Sequence, residues 1–344
     1  MFYSNDCRFR KFFHDLQCGV SILNIVVRQF FSVKLFCCSQ RRAFPVRRFI
    51  KSMTQASTGE RTIPTRRISF EESLQDLPRH FAVDGDILLS HFAAVLSALF
   101  PDGEDFFVRS VRHYRDRITD PELKKQVAGF IGQESVHGRE HRVLNERLAQ
   151  LGYPTKGIER FTRRGLESRE RMAPPISNLA FTAALEHFTA TLAELLLSSD
   201  DVRALFGHDG VRDVFLWHAL EESEHKAVAF DVYRAVGGTE RMRIWTMHGL
   251  RFGFPILVAV LMAISLARDP AARRWGNLRR SWRRFRSSPL LSRDLWNRLR
   301  EYCRPGFHPD DIDASELLAR WRAELFGDEG RLNDKLVGAS SPAA

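Results

Sequence analysis

The stretch from residue 86 to residue 238 is built from runs whose apolar positions recur at helical spacing, most of them opened or closed by a helix-capping residue. "DILLSHFAAVLSALF" is apolar around most of its circumference, which predicts a buried helix capped by Asp86. "FPDGEDFFVRSVRHYRDRI" predicts a second helix, with Asp102 as its cap and Glu104 in its first turn. A long run follows, with Asp120 as N-cap, Pro121 at the first position and Gly152 at its close. A charged, proline-containing connection over 153–176 leads to "SNLAFTAALEHFTATLAELLLS". After a loop between Gly207 and Gly210 comes a further helical run, "VRDVFLWHALEESEHKAVAFDVYRAVGG". No repeat of fixed period is present, but the two halves resemble each other.

Outside this region the pattern changes. The stretch 252–267, "FGFPILVAVLMAISLA", carries no charge and is bounded by Arg251 and Arg268. Its 16 residues fall short of the roughly 20 that a spanning helix needs. Adding "IWTMHGL" reaches that length, with Arg251 as an interruption. A buried or dimer-forming helix and a membrane contact over 244–267 are both open readings. Residues 54–72 read as a polar linker and 329–344 as a disordered tail. The first 52 residues mix short apolar runs with arginines and keep no clear period. They read as a basic leader, as an irregular extension, or as untranslated upstream sequence with Met53 as the start. The expected division is therefore 1–64 extension and linker, 65–240 helical bundle, 241–328 apolar and arginine-rich helices, then the tail.

Charge and cysteine use sharpen this division. Residues 1–70 hold thirteen Lys and Arg against three Asp and Glu, and residues 268–304 hold twelve Arg against three acids. The basic excess thus lies away from the acid-rich middle of the chain, so no nucleic-acid partner is expected. Four of the five cysteines fall in the first 38 residues, and none lies between 39 and 302. That excludes a disulfide framework and fits a reducing compartment, so a cytoplasmic protein is expected, with contact at the inner face of the membrane if 244–267 provides it.

The chemistry concentrates in "WHALEESEH" at 217–225. His218, Glu222 and His225 stand at i, i+4 and i+7, on one helical face that is also rich in apolar residues. Imidazoles and a carboxylate facing a core are costly unless they are paired or bind metal. Glu134 and His137 repeat the Glu-x-x-His spacing on the preceding long helix. Glu104 and Glu186 each supply one glutamate in apolar surroundings on two further helices. Glu, Glu-x-x-His, Glu, Glu-x-x-His over four helices is the set by which helical bundles hold two iron or manganese ions. His218 is either a seventh ligand or a partner to a ligand carboxylate. His141 reads as a neighbour of the ligands or as solvated, His187 as a bystander, and Glu194 as paired to a basic side chain. Glu221 and Glu224 are expected in solvent or paired with Arg or Lys. The predicted fold is all-α, a ferritin-like four-helix bundle with one long crossover and extra C-terminal helices.

On "FPDGEDFF", "QESVHGREH", "ALEHFTA" and "WHALEESEHKAVAFDVY" the chain resembles a family of bacterial predicted metal-dependent hydrolases over roughly residues 65–325. Its ligand order is also similar to that of di-iron enzymes of the p-aminobenzoate N-oxygenase type. The resemblance implies Glu104, Glu134, His137, Glu186, His218, Glu222 and His225 as metal ligands, with no catalytic side chains beyond them. Three functions follow as expectations. The first is an enzyme with two Fe (or Mn) ions that uses O2 to oxidise a small-molecule substrate. The alternative is a metal-dependent hydrolase using a metal-activated water, and the second alternative is non-catalytic iron binding. A homodimer through the apolar helix is a further expectation.

Overall fold

In the computed structural model, residues 62–338 are described; they are all-α, with no strand among them. The expectations for residues 1–52, for the first part of the linker and for 339–344 lie outside the described residues. Ten helices carry the fold: α1 (Ile87–Arg112), α2 (Pro121–Gln150), α3 (Thr155–Met172), α4 (Pro175–Ser198), α5 (Asp209–His225), α6 (Val228–Ala235), α7 (Glu240–Ala267), α8 (Trp275–Ser287), α9 (Arg293–Glu301) and α10 (Ser315–Phe326).

Predicted caps form where the sequence places them. Asp86 Oδ1 accepts from Leu89 N at 3.1 Å, and Asp120 Oδ1 accepts from Glu122 N at 2.9 Å. Gly152, at φ +92°, ends the turn after α2, and its neighbour Tyr153 N reaches back to Leu148 O. The long helices pack as a ring: α1 lies against α2, α4 against α5, and the pairs meet through α1–α4 and α2–α5 contacts. Helices α7 and α8 cover α1 from outside, and α7 also lies on α4.

Four expectations are corrected. Residues 86–112 form one helix rather than two, with Pro101 inside it. Proline removes the amide that would bond the carbonyl four residues back. Here the freed Ser97 carbonyl accepts instead from Asn145 Nδ2 at 3.0 Å, so the helix continues without an orphaned group. Asp102 therefore caps nothing and pairs with Arg163 Nε at 2.9 Å. The connection at 153–176 contains the 18-residue helix α3, whose Ile158 and Leu166 are buried. The last predicted helical run breaks at Lys226–Ala227, where Lys226 Nζ turns to Glu194 Oε1 (2.8 Å) and the Ile312 carbonyl (2.7 Å).

The fourth correction concerns the two ends. Residues 62–70 are no solvated linker but a strap across α2, with Ile63, Ile68 and Phe70 buried. The strap approaches so closely that a Cβ on Gly129 would lie 2.5 Å from the Ile63 carbonyl oxygen. Residues 329–338 are likewise no loose tail. Leu332 is buried, Ser69 N bonds the Lys335 carbonyl at 3.0 Å and Val337 N bonds that of Arg67 at 2.8 Å.

Candidate metal centre

The ring of helices points seven side chains at one interior point: Glu104 from α1, Glu134 and His137 from α2, Glu186 from α4, and His218, Glu222 and His225 from α5. All are buried. Their ligand atoms form overlapping groups within 4.8 Å of one another: Glu134–Glu222–His225, Glu104–Glu134–His137 and His137–His218–Glu222. Glu134, His137 and Glu222 each recur in these groups, a fourth group joins Glu104, His141 and His218, and Glu186 enters through its contact with His225. His225 Nε2 lies 3.1 Å from Glu134, 3.3 Å from Glu186 and 3.5 Å from Glu222. On the other side, His218 Nε2 lies 3.0 Å from Glu222 and 3.6 Å from Glu104, and His137 Nδ1 lies 3.6 Å from Glu222. Glu186 and His225 thus lie at one end of the cluster, and Glu104, His137 and His218 at the other.

Two independent features fit metal ions here. The first is the set of orphaned atoms. Both carboxylate oxygens of Glu104, Glu134 and Glu186, Glu222 Oε2, His137 Nδ1 and His225 Nε2 are buried without a hydrogen-bond partner. Buried polar groups are otherwise almost always matched. The second is charge. Burial, then the charges of Glu134 and Glu222, push Glu104 well above the usual carboxylate range. Burial and the Glu186 charge push Glu134 up to about 8, and burial with Glu222 pushes Glu186 up to about 7. Burial opposes ionisation of Glu222 too, but His218 and His225 hold it well below its ordinary value. Burial also opposes charging of His225, yet its carboxylate neighbours hold that imidazole well above its ordinary value. Four carboxylates crowded out of water need positive charge. Two divalent cations would match four carboxylate charges, and oxygen with imidazole donors suits iron or manganese.

Hydrogen bonds behind the cluster fix which nitrogen of each histidine faces it. Ser97 Oγ donates to Asn145 Oδ1 at 2.7 Å, so it accepts from His141 Nδ1 at 2.9 Å. His141 Nε2 lies 2.6 Å from His218 Nδ1, and His218 Nε2 on the other side of the ring faces Glu222 Oε1 at 3.0 Å, so the ring is held with Nε2 toward the carboxylates. His137 Nε2 donates to Glu221 Oε2 at 3.0 Å, and His225 Nδ1 donates to Gln133 Oε1 at 2.8 Å. Burial first, then neighbouring His218, holds His137 and His141 well below their ordinary values, so both are neutral. A neutral imidazole with its outer nitrogen engaged is the form that binds metal.

Glu221 and Glu224 are paired with arginine, as one of the two readings has it, but neither is solvated. Arg66 of the strap bonds Glu221 Oε1 at 2.9 Å and Glu224 Oε2 at 2.8 Å, and Arg322 bonds Glu224 Oε1 at 2.7 Å. Burial nevertheless pushes Glu221 up to about 8. His141 proves buried and bonded to His218 rather than solvated. His187 bonds the Arg298 carbonyl at 3.2 Å, away from the centre, and Glu194 pairs with Lys226 and Arg298. Ser97, Asn145, Gln133 and Arg66 are supporting residues that the sequence pattern does not single out. Their roles depend on which helices meet, and no spacing within one helix encodes that. A further group, His80–His91–Asp269, is matched internally: both Nε2 atoms reach Asp269 Oδ2, at 2.6 and 3.0 Å, and His91 Nδ1 reaches Ser265 Oγ at 2.7 Å.

A cavity of about 110 Å³ leads to the centre, with His218 and Glu222 in its wall among Phe92, Phe100, Phe206 and Leu290. A smaller one of about 60 Å³ reaches Glu104 and Glu222 from the side of Leu99 and Phe107. Both are apolar apart from the metal-facing groups and Thr189, joined in the second by Thr162.

Residues 64–313 match the family described as "Predicted metal-dependent hydrolase", and the chain belongs to that family. Neither a curated protein nor a solved structure matches the chain.

Proposed function

We propose, for a member of the predicted metal-dependent hydrolase family, that the seven converging residues hold two iron ions and that the protein oxidises a small, largely apolar substrate with O2. The observation that carries this reading is the convergence of four buried carboxylates, seven of whose eight oxygens lack a hydrogen-bond partner, and three buried imidazoles beside an apolar cavity that ends on Glu222. When bound, two ferrous ions would supply electrons to O2, and manganese fits the same donors. Glu134 and Glu222 would lie between the metals, with Glu104 and Glu186 at the ends. Phe92, Phe100 and Phe206 would seat the apolar part of the substrate and exclude water from the reacting face. The Ser97–His141 relay would keep His218 in the ligating tautomer. On this reading the bundle would be ferritin-like, with a ligand order similar to that of p-aminobenzoate N-oxygenase-type enzymes. Their substrate is not carried over, because the resemblance rests on the ligand segments.

The second reading is hydrolysis, and the family description favours it. Two close metals can lower the pKa of a bound water and clamp the oxygens of a displacement. The cavity would then select an ester or amide with an apolar acyl group. Beyond the seven converging residues its lining offers only the Thr189 hydroxyl as a polar group for such a substrate, which is why oxidation stands first.

Anaerobic apo protein should be loaded with Fe(II) and exposed to O2. Two irons per chain, O2 consumption and a transient visible absorption are the expected results. Absence of O2 uptake, with turnover of apolar esters under Mn or Zn, would establish hydrolysis instead. Metal binding without either activity would leave iron binding as the function.

A further inference from the structure

Helix α8 presents a surface that the metal chemistry does not use. Between Asp269 and Asp294 the chain has eight arginines and no acidic residue. Arg284 is matched by Asp84 at 2.7 Å. Arg273, Arg274, Arg279, Arg280, Arg283 and Arg286 are exposed, and none forms an ion pair among the described residues. Two tryptophans stand among them at a spacing of seven residues, Trp275 at 75% exposure and Trp282 at 53%. The inner side of α8 is fixed: Ser281 is buried, and Phe285 meets Phe92 of α1 edge-on at 5.5 Å. The turn after α8 places Leu290 in the cavity wall and leaves Leu291 45% exposed.

Exposed tryptophan beside unneutralised arginine is the arrangement that suits the boundary between anionic headgroups and acyl chains. The indole enters the interface while the guanidinium groups stay with the phosphates. A second copy of the chain would bring the same arginines face to face, and like charges oppose that contact. Single-stranded nucleic acid would use the arginines and stack on the tryptophans but gains nothing from Leu291. Helix α7 is long and apolar enough to span a bilayer and exposes Phe252 and Ile256, but its second half and its start are tied to the rest of the protein. Leu257, Val258, Leu261 and Met262 of α7 are buried in a cluster with α1, and Arg243 at its start is buried and donates to the carbonyls of Tyr302 and Arg304.

We propose that α8 and the turn at 289–291 seat the protein peripherally on an anionic lipid bilayer. The test uses the metal-loaded full chain, sedimented with vesicles of phosphatidylcholine alone or mixed with phosphatidylglycerol. Binding to the mixed vesicles should exceed binding to the neutral ones by about tenfold or more at low salt and fall away at high salt. Arg279→Glu with Arg283→Glu should abolish the preference. Trp275→Ala with Trp282→Ala should weaken binding by about tenfold at unchanged charge and reduce quenching by brominated acyl chains. Circular dichroism and metal content should stay at wild-type values in both variants. Glu134→Ala, which tests the metal reading, should still sediment with anionic vesicles, so the two readings fail separately. Equal binding to both lipids, no binding to either, or tryptophan variants that bind as wild type would overturn the proposal. A preference for single-stranded oligonucleotide over anionic vesicles would overturn it in favour of nucleic acid.

Discussion

His141 Nε2 lies 2.6 Å from Nδ1 of His218, in a chain of bonds that begins at the Ser97–Asn145 pair. That pair exists because Pro101 frees the Ser97 carbonyl, which Asn145 Nδ2 then fills. A helix irregularity is thereby connected to the orientation of a metal-facing imidazole. His141→Ala should lower the affinity for Fe(II) or Mn(II) by about 10–100-fold, the usual effect of losing a partner behind a ligand. Ser97→Ala should act in the same direction and more weakly. Chelator competition measures both, and affinities equal to wild type would remove His141 from the site.

Shared and terminal carboxylates should differ in stoichiometry. Glu134→Ala or Glu222→Ala should lose both metals, because on the proposed reading each would lie between the two positions. Glu104→Ala or Glu186→Ala should lose one at most. Metal analysis beside circular dichroism reads the difference, with helix content retained in all four. Two full equivalents in the Glu134 and Glu222 variants would refute the assignment.

The raised carboxyl groups give the metal-free protein a defined pH dependence. Glu134 near 8 and Glu186 near 7 hold protons that an unfolded carboxyl releases near 4.5. Above pH 6.5, where His137 and His141 are neutral in both states, the folded metal-free state therefore binds more protons than the unfolded state, and its stability falls as pH rises from about 6.5 to about 8. In chelator, Tm should drop between these limits, and Glu134→Gln with Glu186→Gln should flatten the slope. Metal must displace the same protons, so loading at pH 7 should release more than one proton per chain, measured by calorimetry in buffers of different ionisation enthalpy.

Arg66 is the buried counter-charge of Glu221 and Glu224. Removing one partner of a buried pair typically costs about 3–5 kcal/mol. Arg66→Ala should approach that loss and also weaken metal binding, because Glu221 holds His137. Denaturant unfolding and metal titration check the two effects together. Arg66→Lys should restore part of the stability.

Gly129 tests the strap from the other side. A Cβ there would meet the Ile63 backbone oxygen at 2.5 Å, which no rotamer change relieves. Gly129→Ala should destabilise by about 1–3 kcal/mol, as overpacking does. It should also expose the segment 62–70 to limited proteolysis.

The convergence of the seven side chains was legible because Glu-x-x-His repeats at fixed helical spacing, and spacing alone decides which residues share a face. The all-α class, the caps at Asp86 and Asp120 and the stop at Gly152 followed from equally local rules. What stayed hidden depends on contacts between distant residues. Pro101 signals a break when α1 is taken alone, and only Asn145 on α2 explains why the helix continues. Glu221 and Glu224 look like a solvated edge until the strap and α10 cover that side of α5. The strap itself reads as a linker because its three buried side chains alternate with polar ones and follow a polar stretch.

Arg66 precedes its partner Glu221 by 155 residues. During synthesis the strap emerges first and must wait until α5 has been made before its guanidinium can dock. Phe70 waits with it, since its aromatic neighbour Trp217 arrives equally late. Contacts of such sequence separation close slowly compared with helix growth. The strap therefore cannot reach its final place until most of the bundle exists, and it closes over α5 from the far end of the chain's growth.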